Sequence, residues 1–268
     1  MSESKVFLFD SDDPAMQRAY EEARSTFKYF WREIAWERRR IIPGLDLACV
    51  KAPFSDSKRT ASSKDNLEVE QMWLGEIDFD GQFVSGELLN APNWLKSVKA
   101  GDSVRLTLNE ITDWMYAIDA KVFGGYTVNL MRSRMSRGER NEHDSAWGLN
   151  FGDPNSIRIM PVTNTWGGMI KGWFGGKSDP HIEEHPMSEA MAPSLKEQLT
   201  DAPAMLNEKD DRGWTFLHHQ ALAGSTASVK ILLELGADTK ALTDNGMTPL
   251  QLAKSLGWDK VIALLKGR

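Results

Sequence analysis

From Asp211 onward the chain repeats itself at a period of 33 residues. Asp211, Gly213, Thr215, Leu217 and Gly224 recur as Asp244, Gly246, Thr248, Leu250 and Gly257, each pair 33 positions apart. A fixed period of this length marks one supersecondary unit that cannot bury its apolar face alone, so successive copies must stack. The last third of the chain is therefore expected to be a short helical stack. The other two-thirds show no such period and must fold by a different rule.

The repeated phrases are DRGWTFLHHQALAG (211–224) and DNGMTPLQLAKSLG (244–257). They resemble the ankyrin-repeat pattern D-x-G-x-T-P-L-H-x-A-A-x-x-G. That resemblance implies a turn followed by two helices, with Thr capping the first helix and Pro in its first turn. It also implies that His218 hydrogen-bonds loop backbone as a scaffold residue, and that the act of the module is binding a protein partner. The first copy departs at Phe216, where the pattern has Pro, and at Gln220, a larger residue where it has Ala. Trp214, His219 and Met247 fall at or near the loop-proximal positions that face partners in ankyrin proteins. They are the partner-binding candidates, and Trp is a favoured interface anchor. Core packing is the competing use of the same side chains. A half-repeat from about 194–199, a full repeat and a C-terminal copy make about two and a half units over 194–268. Solenoids ordinarily need three, so this one is expected to lean on the rest of the chain.

Upstream, Asp13-Pro14 reads as a helix start, with Asp as cap and Pro at the first helical position. Met16, Tyr20, Ala23, Phe27, Phe30 and Ile34 follow at steps of three and four, one apolar stripe on a helix that runs to about Arg40. Arg38, Arg39 and Arg40 then suit the negative end of the helix dipole. Strands are expected at Leu45–Ala52, Met72–Phe79, Phe83–Asn90 and around Val104–Leu108, with Asp80-Gly81 as a hairpin turn. The class is α+β: an antiparallel sheet packed on a long helix, followed by an all-α repeat domain. The expected division is 1–160 for the α+β domain, 161–193 for a Gly/Pro-rich linker, and 194–268 for the repeats.

ARSTFKYFWRE (23–33), MWLGEIDFDG (72–81), NAPNW (90–94), GDSV (101–104), ITDWMY (111–116), GGYTVNLMR (124–132) and HDSAWGLNFGDP (143–154) resemble the bacterial domain-of-unknown-function 2314 family. The likeness runs through residues 14–162 and implies no established activity. Chemistry, if any, would draw on His143, Asp144, Asp113 and Arg132 as base, carboxylates and anion clamp, with the repeats as a docking arm. The structural alternative has Asp113 capping a helix at Trp114 and His143-Asp144 in a loop. No catalytic residue is assigned; these four are only candidates.

The remaining signals exclude more than they assign. A net charge of −6 argues against a dedicated nucleic-acid or anionic-membrane binder. No run approaches the roughly 20 apolar residues of a membrane helix, and the start has only the apolar patch Val6–Phe9, without a signal peptide's basic region. Cys49 is the single cysteine, so no intrachain disulfide forms. A cytoplasmic protein is expected. HIEEH (181–185) matches an inverted zinc-protease spacing, but Pro180 and Pro186 bracket it and no third ligand is evident. GWFGGKS (172–178) has Lys171 where a phosphate-binding loop needs Gly. Neither a metal nor a cofactor is expected. Arg132, Arg134, Arg137 and Arg140 read as a solvated or ion-paired face.

Overall fold

The computed structural model describes residues 13–56, 69–161 and 184–267. The chain divides into two compact units. One comprises the residues up to Phe30 with Gly44–Asp78 and Phe83–Ile159; the other comprises Trp31–Pro43, Phe79–Gln82 and the chain from Met160 onward.

The first unit is built on a six-stranded sheet. Strands β1 (Leu47–Phe54), β2 (Glu70–Phe79), β3 (Phe83–Leu88), β4 (Ser103–Thr107), β5 (Asp113–Ile118) and β6 (Lys121–Gly124) lie in the order β4-β3-β2-β1-β5-β6. β1 pairs antiparallel with both β2 and β5, in registers that set Val50 opposite Leu74 and Cys49 opposite Met115. Helix α1 (Pro14–Glu37) starts where the sequence indicates: Asp13 Oδ1 accepts from the Ala15 N–H at 2.8 Å. Its apolar stripe covers one face of the sheet. Phe30 lies 5.7 Å from the Trp114 ring and 6.5 Å from Tyr116, and Trp114 Nε1 donates to the Ala23 carbonyl at 2.8 Å. Each fully buried aromatic contributes roughly 1.5–3 kcal/mol. No acidic residue in the first turn or basic residue in the last turn of α1 adds a dipole interaction; apolar burial, with the Trp114 bond, holds the helix to the sheet.

The opposite face was not foreseen. Helices α2 (Tyr126–Ser133) and α3 (Arg137–Trp147) accompany a second core of Cys49, Met115, Val122, Val128 and Phe151. Alternation along β5 sends Trp114 and Tyr116 to the α1 face and Asp113 and Met115 to the other. That two-sided burial explains the main error of the sequence reading, which expected four strands and a helix beginning at Trp114. Asp113–Ile118 is instead a strand, buried along almost its whole length, and a strand covered on both faces shows no polar/apolar alternation. His143-Asp144 likewise lies within α3, not in a loop.

In the second unit, α4 (Pro186–Asp201) precedes two helix pairs: α5 (Phe216–Leu222) with α6 (Thr226–Glu234), and α7 (Pro249–Ser255) with α8 (Asp259–Lys266). α5 and α7 begin 33 residues apart (249 − 216), as do α6 and α8 (259 − 226). The period read in the sequence is thus the spacing of the helix pairs. α4 begins at Pro186, several residues before the expected half-repeat. Glycine is obligatory at Gly224, where φ is +70° and an added Cβ would run into the Trp258 indole. That indole donates through Nε1 to the Leu222 carbonyl at 2.9 Å, tying the second pair to the first.

Candidate functional site

Three of the four residues considered for chemistry come together between α2 and α3. Arg132 is 3% exposed and grips Asp144 with two bonds, Nε to Oδ1 at 2.8 Å and Nη2 to Oδ2 at 2.6 Å. Its Nη1 donates to Asn129 Oδ1 at 2.7 Å, and Nη2 also to the Gly152 carbonyl at 3.1 Å. A guanidinium has five N–H donors, and four bonds within the fold occupy this one. The arginine is a strut between helix and loop with little left to hold a substrate anion. His143 Nδ1 lies 2.9 Å from the same Asp144 Oδ1, and its ring packs 5.2 Å from Phe151.

Asp113 serves a different end of α2. Its Oδ1 accepts from the Trp114 and Tyr126 N–H groups at 2.8 and 2.9 Å, and its Oδ2 from the Thr127 N–H and hydroxyl at 2.8 and 2.6 Å. The expected capping role is therefore right in kind, but the capped helix is α2, whose formal N-cap is a glycine that supplies no side chain. Burial pushes this carboxyl above the ordinary aspartate range, opposed first by the Thr127 hydrogen bond and then by Lys51. The Cys49 thiol, also buried, is pushed well up, so it is not poised as a thiolate.

In the second unit His218 does what the ankyrin resemblance implies. Its Nδ1 accepts from the Thr215 N–H at 3.0 Å, which fixes the proton on Nε2. Nε2 then donates toward the Ala241 and Met247 carbonyls at 3.0 and 3.1 Å, binding one repeat to the next. In the second copy Gln251 Oε1 accepts from the Thr248 N–H at 2.8 Å, the same cap made by an amide.

The three partner candidates fare unequally. Trp214 is only 4% exposed and Met247 only 9%, so neither presents a free face to a partner. Met247 Sδ instead takes a contact from Gln82 Nε2 at 3.2 Å. Trp214 packs 5.0 Å from His219, with the Arg212 guanidinium 5.0 Å over its ring. His219 is about one-third exposed and is held by Asp210 Oδ2 at 2.9 Å from its Nε2. Exposed apolar side chains of the repeat region include Met191, Met205, Phe216 and Leu242.

Trp214 and His219 do line a pocket of about 210 Å³, together with Trp31, Arg38, Arg39, Arg212 and Phe216. α1 ends at Glu37, and the three arginines that follow turn their guanidiniums to other work than the helix dipole. Arg38 lies 5.1 Å over Trp31, Arg39 lies 4.6 Å over Trp36, and Arg40 pairs with Glu37 at 3.0 Å. Arg39 also sits 6.0 Å over Phe216 and donates through Nη1 to Gln220 Oε1 at 3.0 Å. Phe216 and Gln220 are the two places where the first repeat departs from the ankyrin pattern. Burial lowers the pKa of Arg39 to about 10, which leaves it charged at neutral pH. Sequence reasoning missed this site, although the basic run and the two odd residues were its signals.

Residues 172–178 and 181–183, which carry the phosphate-loop and zinc-like phrases, lie outside the described residues. Of the latter phrase, His185 caps α4 through Nδ1, accepting from the Met187 N–H at 3.1 Å, and stacks on Trp36 at 5.1 Å. Glu184 accepts from the Thr226 N–H at 2.9 Å. Among the described residues no three potential ligands gather to hold a metal, and no helix is long and apolar enough to cross a membrane.

Residues 13–151 match the family described as an uncharacterized protein conserved in bacteria (DUF2314), and residues 188–267 match ankyrin repeats. A protein of Neisseria meningitidis serogroup B named for its ankyrin repeats is 39% identical over all of this chain and 99% of its own length. Uncharacterized protein YegJ of Escherichia coli K12 is 29% identical over 36% of the chain and 58% of its own length. A human NAD-capped RNA hydrolase is 34% identical over 67 residues, 25% of this chain and 14% of that enzyme.

Proposed function

This chain belongs to the DUF2314 family and carries ankyrin repeats after that domain, and from that premise we propose that it works by binding another protein through the repeats. The observation that carries the reading is the stack itself: two helix pairs at a 33-residue spacing, locked by scaffold bonds such as those of His218. Ankyrin repeats suggest protein–protein interaction. The exposed Phe216 and Leu242 supply apolar contact area, and His219, about one-third exposed, a polar contact near Phe216. Trp214 and Met247 act in this reading as supports behind the contacting surface. The setting proposed is the cytoplasm, whose reducing poise keeps a free thiol such as that of Cys49 reduced.

The test is affinity capture with the full-length chain and with a Phe216→Ser/Leu242→Ser variant. A specific partner retained by the parent should be bound at least tenfold more weakly by the variant, with the thermal midpoint unchanged. Equal retention by both would remove this surface from the account.

A further inference from the structure

The pocket beyond the end of α1 has a chemistry that a repeat scaffold does not require. Its wall combines Trp31, Trp214 and Phe216 with three guanidiniums, from Arg38, Arg39 and Arg212. Each guanidinium lies over a ring, at 5.1 Å for Arg38 on Trp31 and 5.0 Å for Arg212 on Trp214. A guanidinium over an aromatic face is attracted by the ring's quadrupole, which helps hold these cations at the pocket wall.

Arg39 decides the reading. Among the described residues its guanidinium's one hydrogen bond goes to a neutral amide, Gln220 Oε1. A cation withdrawn from water is costly unless a charge of opposite sign meets it. The nearby carboxylate of Asp210 is committed to His219 Nε2 and to the N–H groups of Arg212 and Trp214. The chain as a whole carries −6, so a cluster of three arginines opposes its overall sign. At about 210 Å³ the pocket falls below the roughly 300–1,000 Å³ of cofactor and small-molecule sites. It has room for one side chain.

We propose that this pocket receives an Asp or Glu side chain of the protein partner, set beside an apolar residue that covers the exposed Phe216 ring. The proposal rests on the protein-binding reading and names the chemistry of the segment bound. Arg39 is the anchor, gripping the carboxylate with the donors that Gln220 leaves over. Arg38 and Arg212 form the rim.

Random seven-residue peptides displayed on phage and selected on the full-length chain test it. The enriched peptides should share an acidic residue next to a large apolar one. As synthetic peptides they should bind tenfold or more weakly to Arg39→Gln, the scale of one charge-assisted hydrogen bond, and measurably more weakly to Arg38→Gln. Arg18→Gln, far along α1, should bind them as the parent does. Arg38 is exposed, so its variant keeps the test decisive should Arg39→Gln fold poorly. Selection of neutral or basic peptides, or acidic ones indifferent to both pocket variants, overturns the proposal while protein binding by the repeats stands. Failure to enrich any peptide also overturns it, and the capture experiment above then judges the broader reading on its own.

Discussion

Arg39 donates to Gln220 Oε1 at 3.0 Å across 181 positions of sequence. Gln220 stands where the ankyrin pattern carries alanine, and it is buried. Replacing it by the pattern residue should therefore not stabilise the chain. Gln220→Ala strips Arg39 of its amide and is expected to cost about 1–3 kcal/mol, outweighing alanine's better helix propensity. Chemical denaturation of the full chain measures it; a gain in stability would show that the bond contributes nothing.

Gly224→Ala probes the junction between the two helix pairs. The new Cβ meets the Trp258 ring, and a left-handed φ adds strain for any other residue. The expected loss is about 2 kcal/mol or more, seen as a lower denaturation midpoint, with Gly246→Ala milder because nothing lies within 4 Å of its Cβ position.

Asp144→Ala leaves Arg132 buried with two of its four bonds broken. A loss of about 2–4 kcal/mol is expected, since a stranded buried cation is costly. The companion His143→Ala should cost well under half as much. If the pair instead served chemistry alone, Asp144→Ala would leave stability unchanged.

Acid should loosen the repeats through His218. Burial holds its pKa below the ordinary histidine range, so the folded state keeps it neutral while the unfolded chain takes up a proton. Its contribution is fully present above about pH 6.5 and is lost as the pH falls through the lower folded value. His219 shifts in the same direction, by burial first, against the pull of Asp210. The thermal midpoint should fall between pH 7 and 5. His218→Gln, which copies Gln251 of the second repeat, should flatten that fall; an unchanged slope would acquit His218.

Much of this architecture is legible in the residues. The 33-residue period locates the helix pairs because stacking forces identical spacing, and Asp13-Pro14 locates α1 because capping is local. β5 escaped because a strand buried on both faces loses its alternation. Asp113 was recognised as a cap, yet its helix lies thirteen residues downstream, a distance that only the fold closes. The pocket was hidden for the same reason. Arg39 and Gln220 are each explicable alone, as a helix-end cation and an imperfect repeat, and their meeting is a tertiary fact. Trp214 was singled out for its loop-proximal place in the repeat as well as its residue type, with core packing as the competing use, and its side chain is buried.

The central claim is that the repeats, and not the sheet domain, make the contact with a partner. Lysine-directed cross-linking of the full-length chain in complex with its captured partner tests it most directly, since Lys196, Lys209, Lys230, Lys240, Lys254 and Lys260 sample the repeats while Lys28, Lys96, Lys99 and Lys121 sample the rest. The account expects intermolecular cross-links to concentrate on the first group, most of all Lys209, whose Nζ donates to the Leu242 carbonyl at 2.8 Å. Cross-links confined to the second group would contradict it.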